Sequence, residues 1–405
     1  MEYLLSNLPS GPAHDICMFL PDNVVRLLSK EHKKDSDKRR SHLSIENKSI
    51  NSAELGKMLV SMTDLTSLSI TFSSITDISV LSQLVSIRQL NLSQNHIVDI
   101  SPLRPLSNLI DLNIGGNRII DISSLACLTQ LRALVIEEND IQDICHLQVL
   151  TNLVNLNMTS TLVSDMNPIK HLKQLKCLHI EDNEIDDIEF LTNFTTLTDL
   201  NVASNYISDI EPLKMLKHLQ SLDMGGCSIA DMSPVAGLTD LTYLYLSSED
   251  TDVDLTHLKK LTRLEILSMY CNPISDLKPI TKLMKLKNLD MRSTVGIRRF
   301  DSLSKSTNLT SLDLGDTEIR SINKLTRLQN LEYLSLSECR IKNIKPISAF
   351  KTLRTLDLSC NKFVTDTDIQ ELACLTKLKF LNLEHCDRLT ISGVDSLKSQ
   401  LINLL

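Results

Sequence analysis

A phrase of 22 residues recurs along this chain, and so regular a recurrence limits the fold more than any single motif does. The stretch LNLSQNHIVDISPLRPLSNL, Leu90 to Leu109, is one copy. On a frame of Leu-x-x-Leu-x-Leu-x-x-Asn, units start at Leu65, Ile87, Leu109, Leu131, Leu153, Leu175, Leu197, Leu219 and Leu241, each 22 residues after the last. Later starts at Leu264, Leu286, Leu309, Leu331, Leu353 and Leu378 mix steps of 22, 23 and 25 residues, for fifteen units in all. In the first unit Leu65, Leu68, Ile70, Ile75, Ile78, Leu81 and Leu84 alternate like a strand and then take the three-residue spacing of a tight turn. No such unit encloses a core by itself. Strands stacked about 4.8 Å apart bury each unit's Leu and Ile against its neighbours, so fifteen of them predict a curved solenoid with a sheet on the order of 70 Å long.

These residues resemble the leucine-rich repeat family over about 320 of the 405 residues. The resemblance implies an α/β leucine-rich repeat solenoid: a curved horseshoe with a parallel β-sheet on the concave face and short turns, 3-10 or helical segments on the convex face. The phrase DISPL, Asp99 to Leu103, is similar to the 22-residue repeats of internalins and, less closely, to those of the phosphatase-1 regulatory leucine-rich repeat proteins.

Two polar ladders run through the units. The ninth position is Asn in Asn95, Asn117, Asn139, Asn183, Asn205, Asn272 and Asn361, where a buried amide can donate to and accept from the backbone of adjacent coils. Nine carboxylates follow the strands at Asp77, Asp99, Asp121, Asp143, Asp165, Asp187, Asp209, Asp231 and Asp276. A row of acids suggests ions, but a short acceptor just after a strand is expected to take backbone N–H groups where the chain turns. Asp250, Asp252 and Asp254 have D-x-D-x-D spacing, yet Leu255 and Leu261 stand where a calcium loop needs Gly and Glu. No metal or cofactor is expected.

The chain carries 42 basic and 50 acidic residues, a net charge of −8, with no Trp and 3% aromatic residues, which argues against a basic, stacking nucleic-acid groove. Nothing approaches an 18-residue apolar run, and the first residues have no basic segment ahead of an apolar one, so neither a membrane span nor export is expected. The ten Cys fall singly without CxxC pairs, the usage of a reducing cytoplasm or nucleus.

Both ends depart from the repeat. Leu8-Pro9, Ile16, Leu20, Val25 and Leu27 resemble an F-box, which in that family docks on the adaptor of an SCF ubiquitin ligase; a charged run, SKEHKKDSDKRR, replaces the family's later aromatic stretch. The same residues also suit a helical cap over the first coil. The expected organisation is a cap or F-box-like segment with a charged linker at 1–42, a capping repeat at 43–64, and repeats from 65 to 405. At the far end LNLEHCDRLTISGVDSL, Leu381 to Leu397, resembles the cysteine-containing repeats of F-box leucine-rich proteins, with a helix start at Ser392. VTDTDIQELACL, Val364 to Leu375, reads as a longer helical connection.

Function is expected where strand side chains alternate away from the core, at positions 3 and 5 of each unit with 2, 7 and 8 alongside. Four of the six Tyr fall there, Tyr243, Tyr245, Tyr270 and Tyr333, together with Arg292 and with Glu137, Glu138, His179, Glu181 and Asp182. Large amphipathic rings beside carboxylates suit a basic protein segment. Cys177, His179, Asp199 and Asn201 superficially form a Cys-His-Asn set, but a flat sheet face offers no oxyanion hole, so catalysis is not expected. The expectation is a non-catalytic interaction scaffold, in sharper form the substrate receptor of a ubiquitin ligase. A phosphatase regulatory subunit and an internalin-like adhesion protein are the alternatives.

Overall fold

The computed structural model describes residues 41–46, 52–247, 253–297 and 299–400. The chain forms two compact units, Met1–Tyr206 and Ile207–Leu405. The residues of the F-box resemblance, Leu8, Pro9, Ile16, Leu20, Val25 and Leu27, lie outside the described residues, as do Asp250 and Asp252.

The described part of the first unit is a stack of parallel strands: β1 His42–Glu46, β2 Ser67–Thr71, β3 Gln89–Asn91, β4 Asp111–Asn113, β5 Ala133–Val135, β6 Asn155–Asn157, β7 Cys177–His179 and β8 Asp199–Asn201. One helix, α1 Ser52–Leu59, connects the first two, and 3-10 turns such as Ser79–Gln83 and Ser123–Cys127 return the chain between the others. Neighbouring strands pair in equal register, so Leu90 lies beside Leu68 and Leu112. Register of this kind turns a repeated Leu into a continuous ladder. In the Leu109 coil, Leu109, Leu112, Ile114, Ile119, Ile122, Leu125 and Leu128 are all buried, each worth roughly 1.5–3 kcal/mol of transfer energy.

The second unit repeats the plan with β9 Ser221–Asp223, β10 Tyr243–Tyr245, β11 Ile266–Ser268, β12 Asn288–Asp290, β13 Ser311–Asp313, β14 Tyr333–Ser335, β15 Thr355–Asp357 and β16 Phe380–Asn382. The Val364–Leu375 connection contains α2 Asp366–Gln370, started by a reciprocal cap between Thr365 and Asp368, and then a 3-10 turn Glu371–Cys374. The final helix, α3 Ile391–Gln400, corrects the expected start at Ser392. Thr390 Oγ1 accepts the Gly393 N–H at 3.1 Å, because a hydroxyl just before the first turn reaches its free donors.

Both ladders are structural. Asn117 donates to Leu92 O and Ile114 O and accepts the Ile97 N–H, joining successive coils. Each of the nine turn aspartates accepts the N–H two residues on, as Asp99 does from Ser101 at 2.7 Å and Asp276 from Lys278 at 2.9 Å. Asp254 does the same with Thr256 at 2.9 Å, capping its 3-10 turn.

Candidate protein-binding surface

Each strand is held by its central Leu pointing inward, which sends positions 3 and 5 to the opposite face. Position 5 is more constrained than its exposure suggests. Asn91, Asn113, Asn157 and Asn201 in the first unit, and Asp223, Asp290, Asp313 and Asp357 in the second, each accept the backbone N–H two residues later. One oxygen is thereby fixed, and in Asp290, Asp313 and Asp357 the other is held by a side chain of the same or a neighbouring coil. Position 8 then turns through the left-handed region, with φ of 51° at Glu138 and 52° at Asp182.

In the second unit the outward residues converge. Arg292 sits over the Tyr270 ring at 5.4 Å, a cation–π contact. Its Nη2 lies 3.3 Å from Asp290 Oδ2 and its Nε 3.6 Å from Asp313 Oδ2, so one guanidinium is shared by two carboxylates of adjacent strands. The Tyr333 hydroxyl donates to Asp313 Oδ2 at 3.3 Å. Burial, and then the charge of Asp290, push the Asp313 carboxyl up to about 6 despite Arg292 and the Gly315 N–H. Burial, then Asp223 and Asp290, push the Tyr245 phenol up to about 12. Burial and Asp313 likewise raise that of Tyr333. Tyr270 is 36% exposed; Tyr243, at position 3 of its unit, opens β10 beside Ser221 and Ile266. Asp290 and Asp313 belong to the outward pattern, but an eye for aromatic rings passes over them. Their signal is a carboxylate at position 5 of successive units.

The acidic residues singled out in the first unit are individually partnered. Asn157 donates to Glu137 at 2.6 Å, Gln94 to Glu138 at 2.9 Å, Asn201 to Glu181 at 2.8 Å and Ser160 to Asp182 at 2.8 Å. Burial raises the Glu137 carboxyl, opposed by Asn157. His179 Nε2 lies 3.3 Å from Asp199 Oδ2, and Asp199 is 2% exposed. The Cys177 sulfur is 3.6 Å from that ring nitrogen. Asn201 is engaged by Glu181 and Ala203.

Leucine-rich repeat models match residues 173–215 and 329–368 as paired copies and 305–321 as a single one. No curated protein matches the sequence. Among solved structures, an internalin (inlF) from Listeria monocytogenes is 31% identical, with a TM-score of 0.60, 78% of this chain and 86% of that one covered. A leucine-rich repeat protein of Leptospira interrogans has a TM-score of 0.72 at 20% identity, covering 84% and 89% of the two chains. The functional domain of Listeria InlJ, which includes a cysteine ladder, reaches 0.60 at 24% identity, covering 78% and 72%. Coil period, Asn ladder, parallel register and these likenesses together make this chain a member of the leucine-rich repeat family, whose folds typically serve as non-catalytic protein-interaction scaffolds.

Proposed function

We propose that this protein is a non-catalytic scaffold that holds a basic segment of a partner protein on the outward face of its second unit. The observation that carries this reading is an imbalance of charge beside aromatic rings. Asp223, Asp290, Asp313 and Asp357, at position 5 of their units, end β9, β12, β13 and β15, and Arg292 is paired with two of them. A Lys or Arg side chain arriving there meets carboxylate oxygens already partly desolvated, and Tyr245, Tyr270 and Tyr333 offer rings to stack on. Tyr243 extends the aromatic row. The first unit's Glu137, Glu138, His179, Glu181 and Asp182 form a second, more internally satisfied acidic surface, suited to steering rather than anchoring.

The test is selection of peptides by the full chain. Lys- and Arg-bearing peptides should be enriched, and Tyr245→Ala with Tyr270→Ala should weaken them by roughly 2–4 kcal/mol if the rings are hot spots. Selection without basic enrichment, or affinity unchanged in the double variant, sinks the proposal.

The sharper form makes the protein a substrate receptor of a ubiquitin ligase, with Leu8 to Leu27 docking on the SCF adaptor. Supporting it, Cys386 replaces the ladder Asn and its thiol donates to Leu358 O at 3.2 Å, a cysteine repeat of the F-box leucine-rich kind. Direct binding of the adaptor to the full chain, lost without residues 1–42, would support this form. No binding would leave a scaffold only, and the 31% identity to an internalin then favours an adhesive role for the same face.

A further inference from the structure

The nine turn aspartates fall into a common local frame in which Asp accepts the N–H two residues on and a Ser at that place often hydrogen-bonds the second oxygen. Ser101, Ser123 and Ser233 do so at 2.9, 3.1 and 2.9 Å. One coil departs. It reads DICHL where others read DISPL or DISSL, with Cys145 in the Ser place and His146 in that of Pro or Ser.

The substitution gathers three different donors. Cys145 Sγ lies 3.3 Å from Asp143 Oδ2 and 3.3 Å from His146 Nδ1, and all three atoms fall within 4.8 Å of one another. Metal–sulfur bonds of ~2.3 Å and metal–nitrogen or –oxygen bonds of ~2.0–2.2 Å in a tetrahedron require sulfur-to-ligand edges of about 3.5 Å. The two edges from the sulfur are therefore already close to the required length, and the third, between Asp143 and His146, lies within 4.8 Å. Asp143 is steadied by the Cys145 N–H at 2.8 Å, which leaves its other oxygen facing the Cys145 sulfur. Asp121 of the preceding coil acts electrostatically on His146, adding negative charge. The group is on the surface, with Asp143 exposed and Cys145 and His146 half-buried.

We infer that Asp143, Cys145 and His146 form a three-ligand site for a zinc-class divalent cation. The soft thiolate and the imidazole select such an ion over calcium or magnesium. On binding, the Cys145 S–H bond breaks, its proton goes to solvent, and the sulfur binds the metal; water completes the fourth position.

The experiment titrates cobalt(II), then zinc, into the full chain held reduced by a non-thiol reductant, reading thiolate-to-cobalt charge-transfer absorption. One equivalent should give the band, and zinc should displace it. Cys145→Ser, which restores the residue sister coils use and so keeps the turn, should abolish it. His146→Ala should weaken binding at least tenfold, and Cys127→Ser should leave it intact. No band, or an equal band in a folded Cys145→Ser chain, overturns the assignment, the latter by placing the ion on another thiol.

Discussion

The ring of Tyr245 lies across Gly225 of the preceding coil, so close that a Cβ on Gly225 would overlap Tyr245 Cε1 and Cδ1. The absent side chain lets the tyrosine lie down on the sheet face beside Asp223 and Asp290 instead of standing away from it. Burial there is the first cause of the raised phenol.

Gly225→Ala should lift that ring toward water. The Tyr245 phenol should then titrate nearer its ordinary value of 10.0 than about 12. Spectrophotometric titration of the variant against the parent checks this, and superimposable curves would mean the ring relaxes without leaving its site. Binding of basic peptides should fall in parallel.

Asn117→Ala removes a cross-coil clamp. Leu92 O keeps a donor from Asn95 and Ile114 O one from Asn139, but the buried Ile97 N–H loses its acceptor. An orphaned buried donor costs about 1–3 kcal/mol and two shared hydrogen bonds add less, so a loss of about 2–4 kcal/mol is expected from urea unfolding. A change below about 0.5 kcal/mol, the scale of ordinary surface substitutions, would show the clamp to be dispensable.

Asp313 makes stability depend on pH in a defined direction. Its folded carboxyl titrates at about 6, above its ordinary 3.8, so between these values the folded state holds more protons than the unfolded one. Stability from this group therefore falls as pH rises from about 4 to 6 and stays low above that. Asp313→Asn retains an acceptor for Gly315 N–H and removes the charge. It should stabilise the protein at pH 8 by an amount on the order of 1–3 kcal/mol, less the lost Arg292 attraction, and much less at pH 4. Thermal unfolding at the two pH values decides; equal effects would mean that the carboxyl titrates normally.

Asp99→Ala should leave calcium affinity unchanged while destabilising its turn, because the Asp99 oxygens accept from Ser101 N–H and Oγ–H. Calorimetry with calcium and a thermal melt distinguish the two roles. A loss of calcium binding would return the aspartate ladder to an ion-binding reading.

The sequence alone determined the period, the strand positions, the buried Leu and Ile, and the duties of Asn117 and Asp99. Each of these depends on contacts made within a coil or repeated identically between coils, so one unit's pattern predicts them all. It also placed Tyr245, Tyr270, Tyr333 and Arg292 on the outward face, because strand alternation is local. What it could not determine is which outward groups meet. Arg292 joins its near neighbour Asp290 to Asp313 of the next strand, Tyr333 reaches back to Asp313, and Tyr245 rests over Gly225, so that each convergence includes a contact between residues 20 or 21 apart in sequence. The capping of α3 by Thr390 was likewise settled in three dimensions. Periodicity fixes where a residue starts from, whereas convergence depends on what the neighbouring coil leaves vacant, and only the tertiary structure decides that.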